Sequence, residues 1–276
     1  MFRALIASLA IVFSSGAAPV QVRIQPARTL ISSEADSSYD ADAERQLFAL
    51  ANQARSQAGL APLQVDEGLT KAARAHAVLM AERRQLSHQF SGEPSLPQRL
   101  SADSDLHMDR SGENVAYAST AEQAQDGLMH SPPHRENLLN PAYNAAGFGV
   151  VRSGDTLYVT QDFAHQLPVI SAETAEDAVA RKLNHARAEA GLSSLQRIQG
   201  SAQAGNCPAP RASLLKTSAT PPRYILRYTS MEPSTLPPGT EKATGDRGLQ
   251  AFSVGACYAR NATYPNGAYW VVVEFF

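Results

Sequence analysis

Three side chains in the first half of the chain carry types that could bind or activate something: His88 in LSHQF, Glu113 in SGENVAY and His134 in HSPPHRENLLNP. Two imidazoles and a carboxylate meeting in a groove could hold a divalent metal such as zinc, activate a water, or form a hydrogen-bond network. His88 and His134 would be the metal ligands, and all three are the candidates for any catalysis. Spacing does not choose among these chemistries, because 46 residues separate the histidines and no HExxH or similarly compact ligand set is present. No nucleophile stands out either. Ser87 and Ser131 adjoin histidines along the chain, but a GxSxG elbow is absent, and sequence adjacency does not put a hydroxyl within reach of a ring. No cofactor is assigned beyond that open question of a metal.

Each candidate needs an element to aim it. His88 follows the helical stretch DEGLTKAARAHAVLMAERRQL, where a loop can point it into a cleft. Glu113 is expected on a loop, with Asn114 beside it as a structural residue. Glu122 is explained as structure, since Ser119 three residues earlier completes a capping box. Pro132 and Pro133 suit the start of a short helix that Asn140-Pro141 ends, which puts His134 in its first turn. The positive end of the helix dipole there disfavours an imidazolium. Leu138 should pack inward, Arg135 and Glu136 outward, and Asn137 should tie the turn to a neighbour, while His130 reads as a solvated loop residue. His76 shares a helical face with Leu69, Ala72, Ala73 and Met80, so it reads as a structural histidine donating to a backbone carbonyl.

The chain also repeats itself. AERQLFALANQARSQAGLAPLQ, from Ala43, and AEDAVARKLNHARAEAGLSSLQ, from Ala175, share ten of 22 aligned residues, including N-x-A-R and A-G-L-x-x-L-Q. Apolar residues recur at helical spacing in both, and Gly59 or Gly191 follows as a stop signal. Both units should close with a hairpin: GFGVVRSGDTLYVTQDF turns at Ser153-Gly154-Asp155, and FSVGACYARNATYPNGAYWVVVEFF around Pro265-Asn266-Gly267. Their middles differ. Residues 200–250 hold no histidine and are dense in proline and glycine, with one strand expected at 224–229.

With 276 residues and a formal charge of -2, the chain can bury a substantial core, and nothing in its net charge pulls it toward nucleic acid. MFRALIASLAIVFSSGAAPV reads as an export signal over residues 1–18, followed by a flexible lead-in over 19–40. No later segment is long and apolar enough to be read as a membrane span. A secreted or periplasmic location follows, and in such an oxidising compartment Cys207 and Cys257 are expected to pair as a structural disulfide.

The ordered series ARAHAVLMA, LSH, GENVA, HSPPHRENLLNP, GFGV and VTQDFA closely resembles bacterial members of the CAP superfamily: cysteine-rich secretory proteins, antigen 5 and pathogenesis-related 1 proteins, also called SCP-like. The resemblance implies an α+β fold, an α-β-α sandwich around a small, mostly antiparallel sheet, over residues 41–168. Residues 172–276 resemble a reduced, degenerate second copy. It further implies a central cleft, lined in eukaryotic family members by two histidines and two glutamates, to which His88, Glu113 and His134 correspond. The other glutamate and its tryptophan neighbour are replaced here by Leu128-Met129-His130-Ser131. An incomplete set favours a non-enzymatic binding module for an extracellular peptide, lipid, glycan or protein. The alternatives are a metal-assisted hydrolase or peptidase, and a cell-envelope structural protein that self-associates through its C-terminal unit.

Overall fold

The structure, a computed structural model, describes residues 39–198 and 221–276. The expected export signal, nearly all of the lead-in and Cys207 lie outside the described residues. The chain divides into two compact units between Gln166 and Leu167.

In the first unit α1 (Ala41–Gln57) begins at Asp40, whose carboxylate accepts the Ala43 N–H. α2 (Glu67–Arg83) begins in the same way at Asp66, which accepts from Leu69. These caps satisfy amide protons that the first helical turn leaves free. α3 (Leu96–Asp103), α4 (Ala121–His130) and α5 (Pro132–Leu138) complete the helices. The cap of α4 is Thr120, accepting from Gln123, one residue later than the expected Ser119–Glu122 box. Thr120 has the extended backbone that a cap requires, and the Gln123 side chain returns the contact to the Ser119 N–H. His130 is correspondingly the last residue of α4 rather than a loop residue, and it is exposed.

The strands β1 (Gln64–Val65), β2 (Met108–Ala118), β3 (Ala145–Ser153) and β4 (Thr156–Gln166) form one sheet in the order β1-β3-β4-β2. The β1–β3 pair is parallel and the others are antiparallel. Alternation along β3 separates the two faces. Ala146, Phe148 and Val150 join Leu47 and Ala51 of α1 and Ala121 and Ala124 of α4 in one core. Gly147 and Gly149 point the other way, where an added Cβ would fall 2.0 Å from the Thr70 nitrogen and 2.2 Å from that of Arg74. Only a residue without a side chain lets α2 lie this close to the strand. Helices therefore cover both faces, and the first unit is the expected α-β-α sandwich.

The second unit consists of α6 (Ala172–Glu189), β5 (Gln196–Arg197), β6 (Tyr224–Ser230), α7 (Glu241–Thr244), β7 (Ala251–Ala259) and β8 (Ala268–Phe275). Its sheet has the order β5-β7-β8-β6, again with one parallel pair at β5–β7. Ala175, Val179 and Leu183 of α6 pack on Phe252, Val254, Val271, Val273 and Phe275. The expected Cys207–Cys257 disulfide involves Cys207 and so lies outside the described residues; among these the one cysteine is Cys257 on β7. The apolar core of this unit packs α6 against β7 and β8.

The repeated sequence motif performs the same task in both units. Asn52 exchanges two hydrogen bonds with the Leu63 backbone, as Asn184 does with Leu195. Arg55 is buried and donates to the carbonyls of Ala61, Leu138, Asn140 and Tyr143. Arg187, also buried, donates to those of Ser193, Thr244 and Asp246. Each arginine fastens the exit of its helix to a loop far along the chain, satisfying carbonyls that would otherwise be buried without donors.

Candidate functional site

The structure brings His88 and Glu113 into direct contact. His88 lies in the loop after α2, its side chain 20 % exposed, and its Nδ1 is 2.8 Å from Glu113 Oε1. Glu113 stands on β2, not on the loop expected from the sequence. The glycine and polar residues of SGENVAY gave it a loop-like look, but the stretch pairs in continuous register with β4. β2 is an edge strand of the sheet, so one side of it is open to groups from the surrounding helices and loops.

Buried charged side chains around it fix this pair. Arg99 of α3 donates from Nη2 to Glu113 Oε2 at 2.6 Å and from Nη1 to Glu93 Oε1 at 3.0 Å, and Nη2 also reaches the His88 carbonyl at 3.3 Å. Glu93 Oε1 faces His76 Nδ1 at 2.6 Å, while its Oε2 accepts the Phe90 N–H at 2.9 Å. His76 Nε2 is 2.7 Å from the Ser87 carbonyl, the backbone contact expected of a structural histidine. Both ring nitrogens of His76 thus face oxygen acceptors, an arrangement that a doubly protonated ring satisfies in full.

His134 reaches the same region from the other side. It lies in the first turn of α5, as expected, and is buried. Its Nδ1 is 2.8 Å from Ser131 Oγ. Asn114 donates to the His134 carbonyl at 3.0 Å, and Asn137 donates to the Glu113 carbonyl at 3.2 Å and to Asn114 Oδ1 at 3.1 Å. These two asparagines pin α5 to β2, the tie expected of Asn137. Gly112 makes room beside this contact, since a Cβ there would lie 3.1 Å from Asn137 Oδ1 and 2.5 Å from the Tyr143 hydroxyl. The rings of His88 and His134 do not hydrogen-bond to each other. Neither Nε2 has a hydrogen-bond partner among the described residues.

Burial, helped by the nearby charge of His88, pushes the His134 imidazole below its ordinary titration range. Burial tends to raise the Glu93 carboxyl, but hydrogen bonds from His76 and Phe90, with the charges of His76 and Arg99, outweigh it and hold the group low. Burial likewise tends to weaken the hold of Arg99 on its proton, and the carboxyls of Glu113, Asp162 and Glu93 reverse that.

Residues 48–163 match the model of the CAP family, described as the cysteine-rich secretory protein family. The first unit is a CAP domain. The uncharacterized protein YkwD of Bacillus subtilis (strain 168) is 36% identical over 112 residues, which are 40% of this chain and 43% of that protein. The uncharacterized membrane protein YlbC of the same strain is 35% identical over 121 residues, 44% of this chain and 34% of that one. An extracellular protein containing a SCP domain from Bacillus anthracis str. Ames is 28% identical in a solved structure, with a TM-score of 0.42, covering 46% of this chain and 41% of that one. The chain therefore spans less than half the length of the curated relatives it matches.

Within the CAP domain, three charged residues of the site were not picked out from sequence. Glu93 and Arg99 have no local pattern that marks them. Asp162 did carry a signal, being a carboxylate inside the apolar strand VTQDF, where burial is costly. It stands opposite Glu113 in the β2–β4 register and is 1 % exposed, and neither of its oxygens has a hydrogen-bond partner among the described residues. Burial, reinforced by the neighbouring Glu113 charge, raises the Asp162 carboxyl well above the usual range.

The donor set of this CAP domain does not fit a closed metal site. Both Glu113 oxygens are engaged, one by His88 and one by Arg99, leaving as unpaired nitrogen donors two buried imidazole Nε2 atoms. Among the described residues no group of three or more His, Cys, Asp or Glu is arranged to hold an ion. A structural zinc site takes four protein ligands and a catalytic one usually three.

Among the described residues the second unit carries no counterpart of the pair. In the first unit Glu113, Asp162 and Gly147 form one row across β2, β4 and β3. The corresponding row across β6, β8 and β7 is Ile225, Glu274 and Ser253. Ile225 replaces the glutamate, and Glu274 is instead met by Ser253 Oγ at 3.2 Å. His185 lies on α6, away from either histidine position, as its place in the repeat implies.

Proposed function

We propose that the protein is an exported, non-enzymatic binding module whose CAP domain engages its ligand around His88, Glu113 and His134. The observation that supports this reading is the state of Glu113. A general base needs a carboxylate free to take a proton, and this one is held by Arg99 and His88 together. What stays unpaired, though buried, is the Nε2 of each histidine, a group suited to accepting or donating one hydrogen bond to a ligand that reaches it. The ligand class is an extracellular peptide, lipid, glycan or protein. An export role accords with the N-terminal sequence, and no helix among the described residues is long and apolar enough to cross a membrane.

The test compares the full mature chain with His88→Ala and His134→Ala variants on glycan arrays, lipid vesicles and peptide pools, alongside turnover assays on peptide, ester and glycoside substrates. Binding that both variants weaken, without turnover, supports the module. Turnover that is lost in both variants and on chelation would overturn it in favour of a metal-assisted hydrolase. In that case an ion such as zinc would sit on His88 and His134.

A further inference from the structure

We infer that Arg99 is the positioning residue of this site: it clamps the Glu113 carboxylate against His88 and thereby holds the His88 ring with Nδ1 protonated and Nε2 unprotonated and unpaired. The inference rests on the reading of His88 as a ligand-facing group, and it concerns what makes that group usable.

Glu113 has one oxygen for each neighbour, Oε2 for Arg99 at 2.6 Å and Oε1 for His88 at 2.8 Å. An ionised carboxylate only accepts hydrogen bonds, so the His88 Nδ1 facing it must donate. A neutral imidazole carries one ring proton, and with that proton on Nδ1 the Nε2 presents a lone pair. Arg99 decides where the accepting oxygen sits. Its guanidinium is a planar fork anchored on two carboxylates, Glu113 and Glu93, and it also holds the His88 carbonyl at 3.3 Å. One side chain thus fixes the acceptor and the backbone of the residue that donates to it. Glu93 is in turn held by His76 and the Phe90 N–H, so the fork does not swing. Arg99 is itself buried, and burial without these partners would cost several kcal/mol. Lysine could not span both carboxylates, because a point ammonium lacks the fork.

The test labels histidine with 15N in the full mature chain and reads the protonation of each ring nitrogen at pH 8, where ordinary imidazoles are neutral. In the wild type His88 should show Nδ1 protonated and Nε2 in the unprotonated range. Arg99→Met should lose the unprotonated Nε2 signal of His88 in favour of a protonated Nε2, and Arg99→Lys, which keeps one contact with Glu113, should retain most of it. An unchanged His88 tautomer in Arg99→Met overturns the inference. Should that variant not fold, the wild type still decides: the Arg99 Nη protons should be separately resolved at low temperature, because a clamped guanidinium does not rotate, and an averaged signal overturns the clamp. These readouts need no ligand, so they stand or fall independently of the binding and turnover assays.

Discussion

Glu113 and Asp162 face each other across the β2–β4 pair, two buried carboxyls side by side, and only Glu113 has hydrogen-bond partners among the described residues. With Arg99 on Glu113 and Glu93, the arrangement leaves Asp162 as the group that gives up its charge. A lone buried carboxylate next to another is among the less favourable placements a fold can make.

That placement predicts the response of Asp162→Asn. The folded chain raises the Asp162 pKa, so its contribution to stability is whole below the unfolded value, about 3.9, and is lost as pH rises through the folded value. An uncharged amide removes that loss. The variant should unfold at higher denaturant concentration than the wild type at pH 7, with the difference shrinking toward pH 4. Equal destabilisation at both pH values would contradict the assignment.

His134 carries the opposite sign. Its folded pKa is depressed, so the stability it contributes is present above its unfolded value, about 6.5, and is lost as pH falls through the folded one. An NMR titration of the Hε1 proton should place the His134 midpoint below the ordinary imidazole value of about 6.5. A midpoint at or above that value would refute burial as the controlling influence.

The two buried arginines should be equivalent in kind. Arg55→Leu removes the donors to four backbone carbonyls and Arg187→Leu the donors to three. Leaving buried acceptors unpaired should destabilise the affected unit by about 3 kcal/mol or more. Hydrogen exchange, read separately for residues of each unit, should show loss of protection confined to the unit mutated. Loss across both from either variant would show that the units do not unfold separately.

Gly149→Ala tests the packing of α2. The new methyl would meet the backbone of Ala73 and Arg74, which cannot yield as a flexible side chain can. A loss of roughly 1–3 kcal/mol is expected, measurable by denaturant unfolding. Gly154→Ala should also cost stability, but for a different reason: nothing lies within 4 Å of its added Cβ, and its φ of 59° is what strains an alanine.

By itself the sequence determined the helices, the hairpins and the duplication, because these depend on neighbours within a few residues. Apolar residues recur at helical or alternating spacing, and the N-x-A-R motif appears twice. Motifs that resemble a known family also singled out His88, Glu113 and His134 as candidates, of which the structure joins His88 and Glu113. The tertiary structure decided the charge around them. Arg99, Glu93 and Asp162 belong to a helix, a loop and a strand that meet only when the sheet forms, and no local pattern marks the first two. It also decided that Glu113 sits on an edge strand rather than a loop, since a strand with mixed polar residues declares itself only through its partner. Strand register put Glu113 opposite Asp162 in the first unit and Ile225 opposite Glu274 in the second, so among the described residues this facing pair of carboxyls belongs to the first unit.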